Sequence, residues 1–226
     1  MTRPWTYYDP VFEHEPPPGA AWGGHRRFGY DLVRNVRPRC IVELGVCLGT
    51  SFLSFCQAVK DGGLDTALWA VDTWEGDPHT GFYDSTFLEQ FRKGLAPYRS
   101  LRVHELILPF DEARGRFDRA SLDILHIDGC HTYEAVRHDY DTWSDAVGPD
   151  GIILFHDIAH QEGDFGVHRL WDEVRHEHEA ASFVHSHGLG VLLKSPRFSS
   201  LAALEAEWRS HYDDSKGGTS LGPGDG

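Results

Sequence analysis

Residues 41–55 read IVELGVCLGTSFLSF, an apolar run that enters a glycine-bearing turn and a second, helix-compatible apolar run that leaves it. This order predicts a buried strand, a tight loop and a helix N-terminus. Gly45 and Gly49 let the backbone come close to a ligand, and Thr50 and Ser51 are placed to cap the helix, leaving its free N–H groups facing the crevice above the sheet. The dinucleotide fingerprint does not fit, because the two glycines stand too far apart, with Cys47 between them. Glu43, just before the first glycine, would repel a pyrophosphate and favours a ligand that carries positive charge.

Outward from this stretch, strand and helix patterns alternate. Phe28, Leu32, Val33 and Val36 predict a helix over 25–36 that stops before Pro38. Residues 67–71 predict a second strand ending in Asp72, where an acid can accept two hydrogen bonds from ribose hydroxyls. The following DTWEGDPHTGFYD reads as a loop over the ligand with no element of its own. A helix is expected over 87–95, a strand over 101–108, and a buried strand over 122–129 that delivers Asp128. Tyr133, Val136, Tyr140, Trp143 and Val147 have the spacing of a helix with one buried face. Residues 148–151 break it, and a strand over 152–155 brings His156 and Asp157 to its end. A helix over 170–179 and strands over 182–187 and 190–194, around HGLG, complete the pattern.

The expected fold class is therefore α/β: a Rossmann-like, doubly wound, mainly parallel seven-stranded sheet with a C-terminal antiparallel hairpin. Three segments are expected: an aromatic and proline-rich arm over 1–24, the domain over 25–196, and a C-terminal helix with a disordered tail over 197–226. The arm could lie over the domain or over a neighbouring subunit, making a homo-oligomer. With 21 basic and 35 acidic residues the net charge is −14, which lacks the electrostatic footprint for nucleic acid or an anionic membrane. No apolar run spans a bilayer and the first residues lack the core of a signal peptide, so a cytoplasmic location is expected. Cys40, Cys47, Cys56 and Cys130 form no CxxC pair and read as reduced, structural thiols.

In an open parallel sheet, ligands bind beyond the carboxyl ends of the strands. The polar residues there are Glu43, Asp72, Asp128 with His131, and His156 with Asp157. Carboxylates crowded on one rim would raise one another's pKa, so a cation is the simplest neutraliser, and oxygen ligands suit magnesium or a similar divalent ion.

VELGVCLGTS, AVDTWEGD, LDILHIDGCHTYEAVRHDY, GIILFHDI and HGLGVLLKSP together resemble class I S-adenosylmethionine-dependent methyltransferases, in the group of the macrolide-sugar O-methyltransferases and the cephalosporin-hydroxylase-like proteins. The resemblance covers roughly residues 38–196. It implies a cofactor, S-adenosylmethionine, held by Glu43, Gly45, Gly49, Ser51, Asp72 and Asp128. It also implies a divalent ion at Asp128 and Asp157 and a general base at His131, with Asp128 part of the catalytic group. His156 stands where relatives offer a carboxylate, and is either a third metal ligand or a support for Asp157. His160 is expected to contact the acceptor, a hydroxylated small molecule such as a sugar or natural product. Two rival readings are a metal-dependent oxygenase built on His131, His156 and Asp157, and a non-catalytic module of a glycan-assembly complex.

Overall fold

The computed structural model describes residues 4–196 and 201–212; the expected disordered tail lies outside the described residues. A 3-10 turn over Ala21–His25 leads into α1 (Arg26–Val36), β1 (Cys40–Leu44), α2 (Thr50–Gly62) and β2 (Ala67–Asp72). A short ribbon of β3 (Gly76–Asp77) and β4 (Gly81–Phe82) follows, then α3 (Ser85–Gly94), β5 (Arg102–Ile107), α4 (Phe110–Arg114) and β6 (Leu122–Ile127). The chain continues through α5 (Tyr133–Trp143), β7 (Val147–His156), α6 (Val167–Val174), β8 (Glu179–Phe183), β9 (Leu189–Leu193) and α7 (Leu201–Tyr212).

The seven-stranded sheet has the order β5-β2-β1-β6-β7-β9-β8. β5, β2, β1, β6 and β7 pair in parallel, and β9 is antiparallel to both β7 and β8. The strand order reverses between β1 and β6, so a crevice opens above their carboxyl ends. Alternation of side chains divides β1 between two cores. Ile41 packs with Phe28, Phe52, Phe55 and Trp208 on one face, while Val42 and Leu44 pack with Trp143, Phe155 and Trp171 on the other. The first face also carries two buried polar residues in register on adjacent strands, Glu43 and His126.

Helix ends follow local chemistry. α1 stops as Arg37 turns left-handed at φ 53° ahead of Pro38. Gly49, at φ 84°, is the residue before α2, and no side chain caps that helix. Thr50 and Ser51 thus lie inside its first turn instead of capping it. α3 and α5 are capped by Asp84 and Thr132, which accept from Thr86 N and Ala135 N.

Several elements differ from the sequence expectation, α5 among them, which ends at Trp143. The loop after β2 contains the β3–β4 ribbon, because Asp77 accepts from the backbone N–H of His79 and Thr80 and turns the chain back on itself. β7 runs unbroken from Val147, taking up residues 148–151 as a register shift opposite β6. α6 begins earlier, since Val167, Leu170, Trp171 and Val174 make its buried stripe and the charged residues after it have nothing to bury. β8 ends at Phe183, as the backbone turns left-handed at Ser186 and His187.

The N-terminal arm lies over its own domain. Trp5 Nε1 donates to Tyr212 Oη (3.2 Å), whose hydroxyl donates in turn to buried Asp31 (2.5 Å), and Arg26 sits 4.0 Å over the Phe12 ring. Trp22 is buried in the core against Phe55. All four cysteines are free. Among the described residues no helix is long and apolar enough to cross a membrane.

Gly45 has φ 84°, and a Cβ there would collide with the Asp128 carbonyl; Gly163 has φ 62° with open space around it. Gly163→Ala is therefore expected to cost about 1–2 kcal/mol from conformation alone, whereas Gly45→Ala adds a backbone collision and is expected to cost more. Thermal melts of the two variants give the comparison, and equal losses would mean that the close approach is not tight.

Candidate functional site

A cavity of about 520 Å³ opens above the sheet at the point where the strand order reverses. The β1–α2 loop forms one wall. Gly45, Cys47 and Gly49 are all left-handed there. Gly45 N donates to Val71 O (3.0 Å) and Asp128 N to Leu44 O (2.9 Å), which presses the loops after β1 and β6 together. Asp72 fastens the turn: Oδ2 accepts from Val46 N (2.7 Å) and Cys47 N (2.9 Å), and Oδ1 accepts from Trp74 N (2.7 Å). A carboxylate offers about four lone-pair sites, so one remains for a ribose hydroxyl where the sequence suggested two such bonds.

Glu43 and Ser51 are bound to each other. Glu43 is fully buried and stands behind the loop, outside the cavity wall. Its carboxylate accepts from Ser51 Oγ, and Oε2 lies 3.5 Å from His126 Nδ1. Trp22 Nε1 donates to His126 Nε2 (3.1 Å). An indole N–H only donates, so in the neutral ring the hydrogen is on Nδ1, facing Glu43. Burial raises the Glu43 pKa, opposed by His126 and Ser51. Ser51 reaches the cavity wall while its hydroxyl is directed back at Glu43.

The same cavity is lined by an acid–imidazole cluster. Asp157 Oδ2 lies 3.0 Å from both His131 Nε2 and His156 Nδ1, and Asp128 Oδ1 lies 3.3 Å from His156 Nδ1 and 3.8 Å from His131 Nε2. The two carboxylates are thus compensated by imidazoles, and their mutual repulsion is not the controlling effect. Burial works against charge on His131, but its hydrogen bonds and attraction to Asp128 and Asp157 outweigh it and raise the pKa to about 10. His156 is raised to about 10 against the same burial penalty by the same two acids. Burial alone would raise Asp128 and Asp157, yet the neighbouring histidines hold both well below the usual carboxylate range.

Two fit tests can be made on these residues. Asp128, His156 and Asp157 have ligand atoms within 4.8 Å of one another. His156 Nε2 donates to Ser186 O (3.1 Å), which leaves Nδ1 as the nitrogen facing both acids and able to ligate once deprotonated. Two oxygens and one nitrogen suit a divalent ion of borderline softness as well as magnesium. The cavity volume, the glycine approach and the uncapped start of α2 suit a ligand the size of S-adenosylmethionine.

A family model described as a methyltransferase domain matches residues 42–158, more than half of the chain. The chain belongs to this methyltransferase family. An uncharacterized protein, y4gI, of Sinorhizobium fredii is 40% identical over 176 residues, 77% of this chain. The match spans only 19% of that longer curated relative. Among solved structures, the O-methyltransferase TomG of Streptomyces achromogenes, in complex with SAM, superposes with a TM-score of 0.55 at 16% identity, covering 79% of this chain and 90% of its own. The SAH-bound methyltransferase PaMTH1 of Podospora anserina gives 0.56 at 14%, covering 80% and 90%. At these identities the likeness establishes the fold alone.

Some residues around this methyltransferase cavity had no individual role in the sequence reading. His187 Nδ1 lies 3.1 Å from Asp157 Oδ1. Its place beside the expected HGLG turn was the available signal. His79, in the β3–β4 turn, contacts Asp164 through Nε2 (2.7 Å) and stacks on Phe165 (4.6 Å), which also stacks on His131 (4.8 Å). The period-free loop around His79 held no indication of that partner. His160, expected at the acceptor, is not itself in the cavity wall but packs on two residues that are, His187 at 4.8 Å and Phe165 at 4.2 Å.

The cluster sets a pH dependence for the metal-free chain. Raised histidine pKa values mean a contribution that is complete below about pH 6.5 and is lost as pH rises toward 10; depressed carboxylates contribute above about pH 4 and lose it on acidification. The stability difference between the wild type and Asp157→Asn, measured by denaturant titration without metal, is expected to be largest near pH 5–6 and to shrink toward pH 10. A difference that grows with pH would reverse the assignment of charges.

Proposed function

We propose that this chain transfers the methyl group of S-adenosylmethionine to an oxygen of a small hydroxylated acceptor, such as a sugar or another natural product, with a divalent ion held by Asp128, His156 and Asp157. The observation that carries this reading is that the glycine loop and the acid–imidazole cluster line one cavity and meet where Gly45 packs on the Asp128 carbonyl. That TomG is an O-methyltransferase solved with SAM, and PaMTH1 an SAH-bound methyltransferase, supports it. The oxygenase alternative leaves the Gly45–Gly49 loop without a role. The four free cysteines accord with a cytoplasmic setting.

In this mechanism the chain's main work is positioning. Gly45, packed on the Asp128 backbone, and Gly49, packed on the Phe91 ring, set the tight turn that lines the cofactor cavity, and the remaining Oδ1 site of Asp72 accepts one ribose hydroxyl. Reaction needs the acceptor oxygen in line with the sulfonium methyl, so holding both partners in one cavity supplies much of the rate. The bound cation would acidify and orient the acceptor hydroxyl. His131 is the nearby proton acceptor. It can act only in its neutral form, so its ion pairs with Asp157 and Asp128 must be relieved before it takes the hydroxyl proton. Phe165, stacked on His131, holds the ring and keeps water from that side.

Calorimetric titration of S-adenosylhomocysteine is expected to show saturable binding that Asp72→Ala abolishes, because the β1–α2 loop loses its two anchors at Val46 N and Cys47 N and the segment after β2 loses a third at Trp74 N. Absence of binding to the folded wild type would overturn the reading. With an acceptor in hand, His131→Ala is expected to lower turnover by roughly 100-fold or more while leaving S-adenosylhomocysteine affinity unchanged; unaltered turnover would remove the base. Cofactor binding without methylation of any hydroxylated acceptor would instead favour a non-catalytic module.

A further inference from the structure

We propose a second cation position formed by Asp157, His160 and His187, beside the one assigned to Asp128 and His156 and joined to it through Asp157. The three residues have ligand atoms within 4.8 Å of one another. The two oxygens of Asp157 are divided between the groups: Oδ2 faces His156 and His131, while Oδ1 faces His187 Nδ1 at 3.1 Å. One carboxylate can therefore serve both positions without changing its rotamer.

The backbone holds all three residues in place before any ion arrives. Asp157 leaves β7 in the left-handed region at φ 62°. His160 N donates to Asp157 O (3.1 Å), which closes a turn, and Ala159 N donates to His187 O (2.8 Å), which ties that turn to the loop before β9. Gly188 packs so closely on Ala159 that a Cβ would lie 2.7 Å from Ala159 N. The imidazoles of His160 and His187 then stack 4.8 Å apart above the Asp157 carboxylate. A lone ion pair to His187, whose side chain is 48% exposed, would contribute little to stability. Yet Ser186 and His187 both occupy the left-handed region in order to present it.

The donor set indicates the ion. Two imidazole nitrogens and one carboxylate oxygen favour a first-row transition ion such as zinc over magnesium or calcium. The exposure of His187 leaves room for water to complete the shell. Although it shares Asp157 with the first position, its binding can be measured without cofactor or acceptor.

The test is the number of zinc ions retained against a competing chelator, by equilibrium dialysis and elemental analysis of the full chain. The wild type is expected to hold two. His187→Ala and His160→Ala are each expected to hold one, with affinity for the second weakened at least 100-fold, since even an outer-shell partner is worth roughly 10–100-fold. His176→Ala, outside both groups, is expected to keep two. Asp128→Asn is expected to keep the position at His187. A wild type with a single ion that Asp128→Asn removes and His187→Ala does not would overturn this inference while leaving the first position standing. A single ion lost in His187→Ala and kept in Asp128→Asn would uphold it and remove the first. Two ions retained in both histidine variants would also overturn it.

Discussion

The approach of the Gly45 backbone to the Asp128 carbonyl is the constraint on which the rest of the site depends. It joins the loops after β1 and β6, the two strands between which the sheet order reverses. Because no side chain fits between them, the glycine loop and the acid that opens the cluster share one edge of the cavity. Asp72 reinforces this from β2 by taking up backbone donors that the tight turn would otherwise leave unpaired. The protein thus invests a charged group in the shape of a loop.

Much of the fold was legible in the sequence. Parallel strands buried on both faces give continuous apolar runs such as 152–155, and short runs ending in an acid mark carboxyl ends whatever the tertiary detail. The grouping of Asp128, His131, His156 and Asp157 follows from that topology alone. Partner choice was not legible. Asp72 and Glu43 were read as facing the ligand, since an acid beside a glycine turn carries no mark of whether it points into the cavity or back at the chain. Asp72 is bound largely to its neighbours' amides, and Glu43 to Ser51 and His126.

The histidines show the same limit. A strand-end position made His156 a candidate, but the carbonyl that fixes its ring orientation belongs to Ser186, thirty residues away in sequence. His187 reaches Asp157 only because the loop before β9 turns left-handed, and no residue type there other than Gly188 announces it. Charge compensation is likewise a property of the assembled cluster. Two acids alone would repel, whereas two acids with two imidazoles hold each other charged.

The bond from Trp22 to His126 spans 104 positions of the chain, and that from Trp5 to Tyr212 spans 207. Contacts this distant carry a large loop-closure cost and slow folding. Trp22 packs on Phe55 and Trp5 on Phe28 within the first two helices, but their hydrogen bonds need β6 and α7 in place. The backing of the Glu43–His126 pair, and with it the support behind the β1–α2 loop, is therefore complete only when the N-terminal arm and β6 have met.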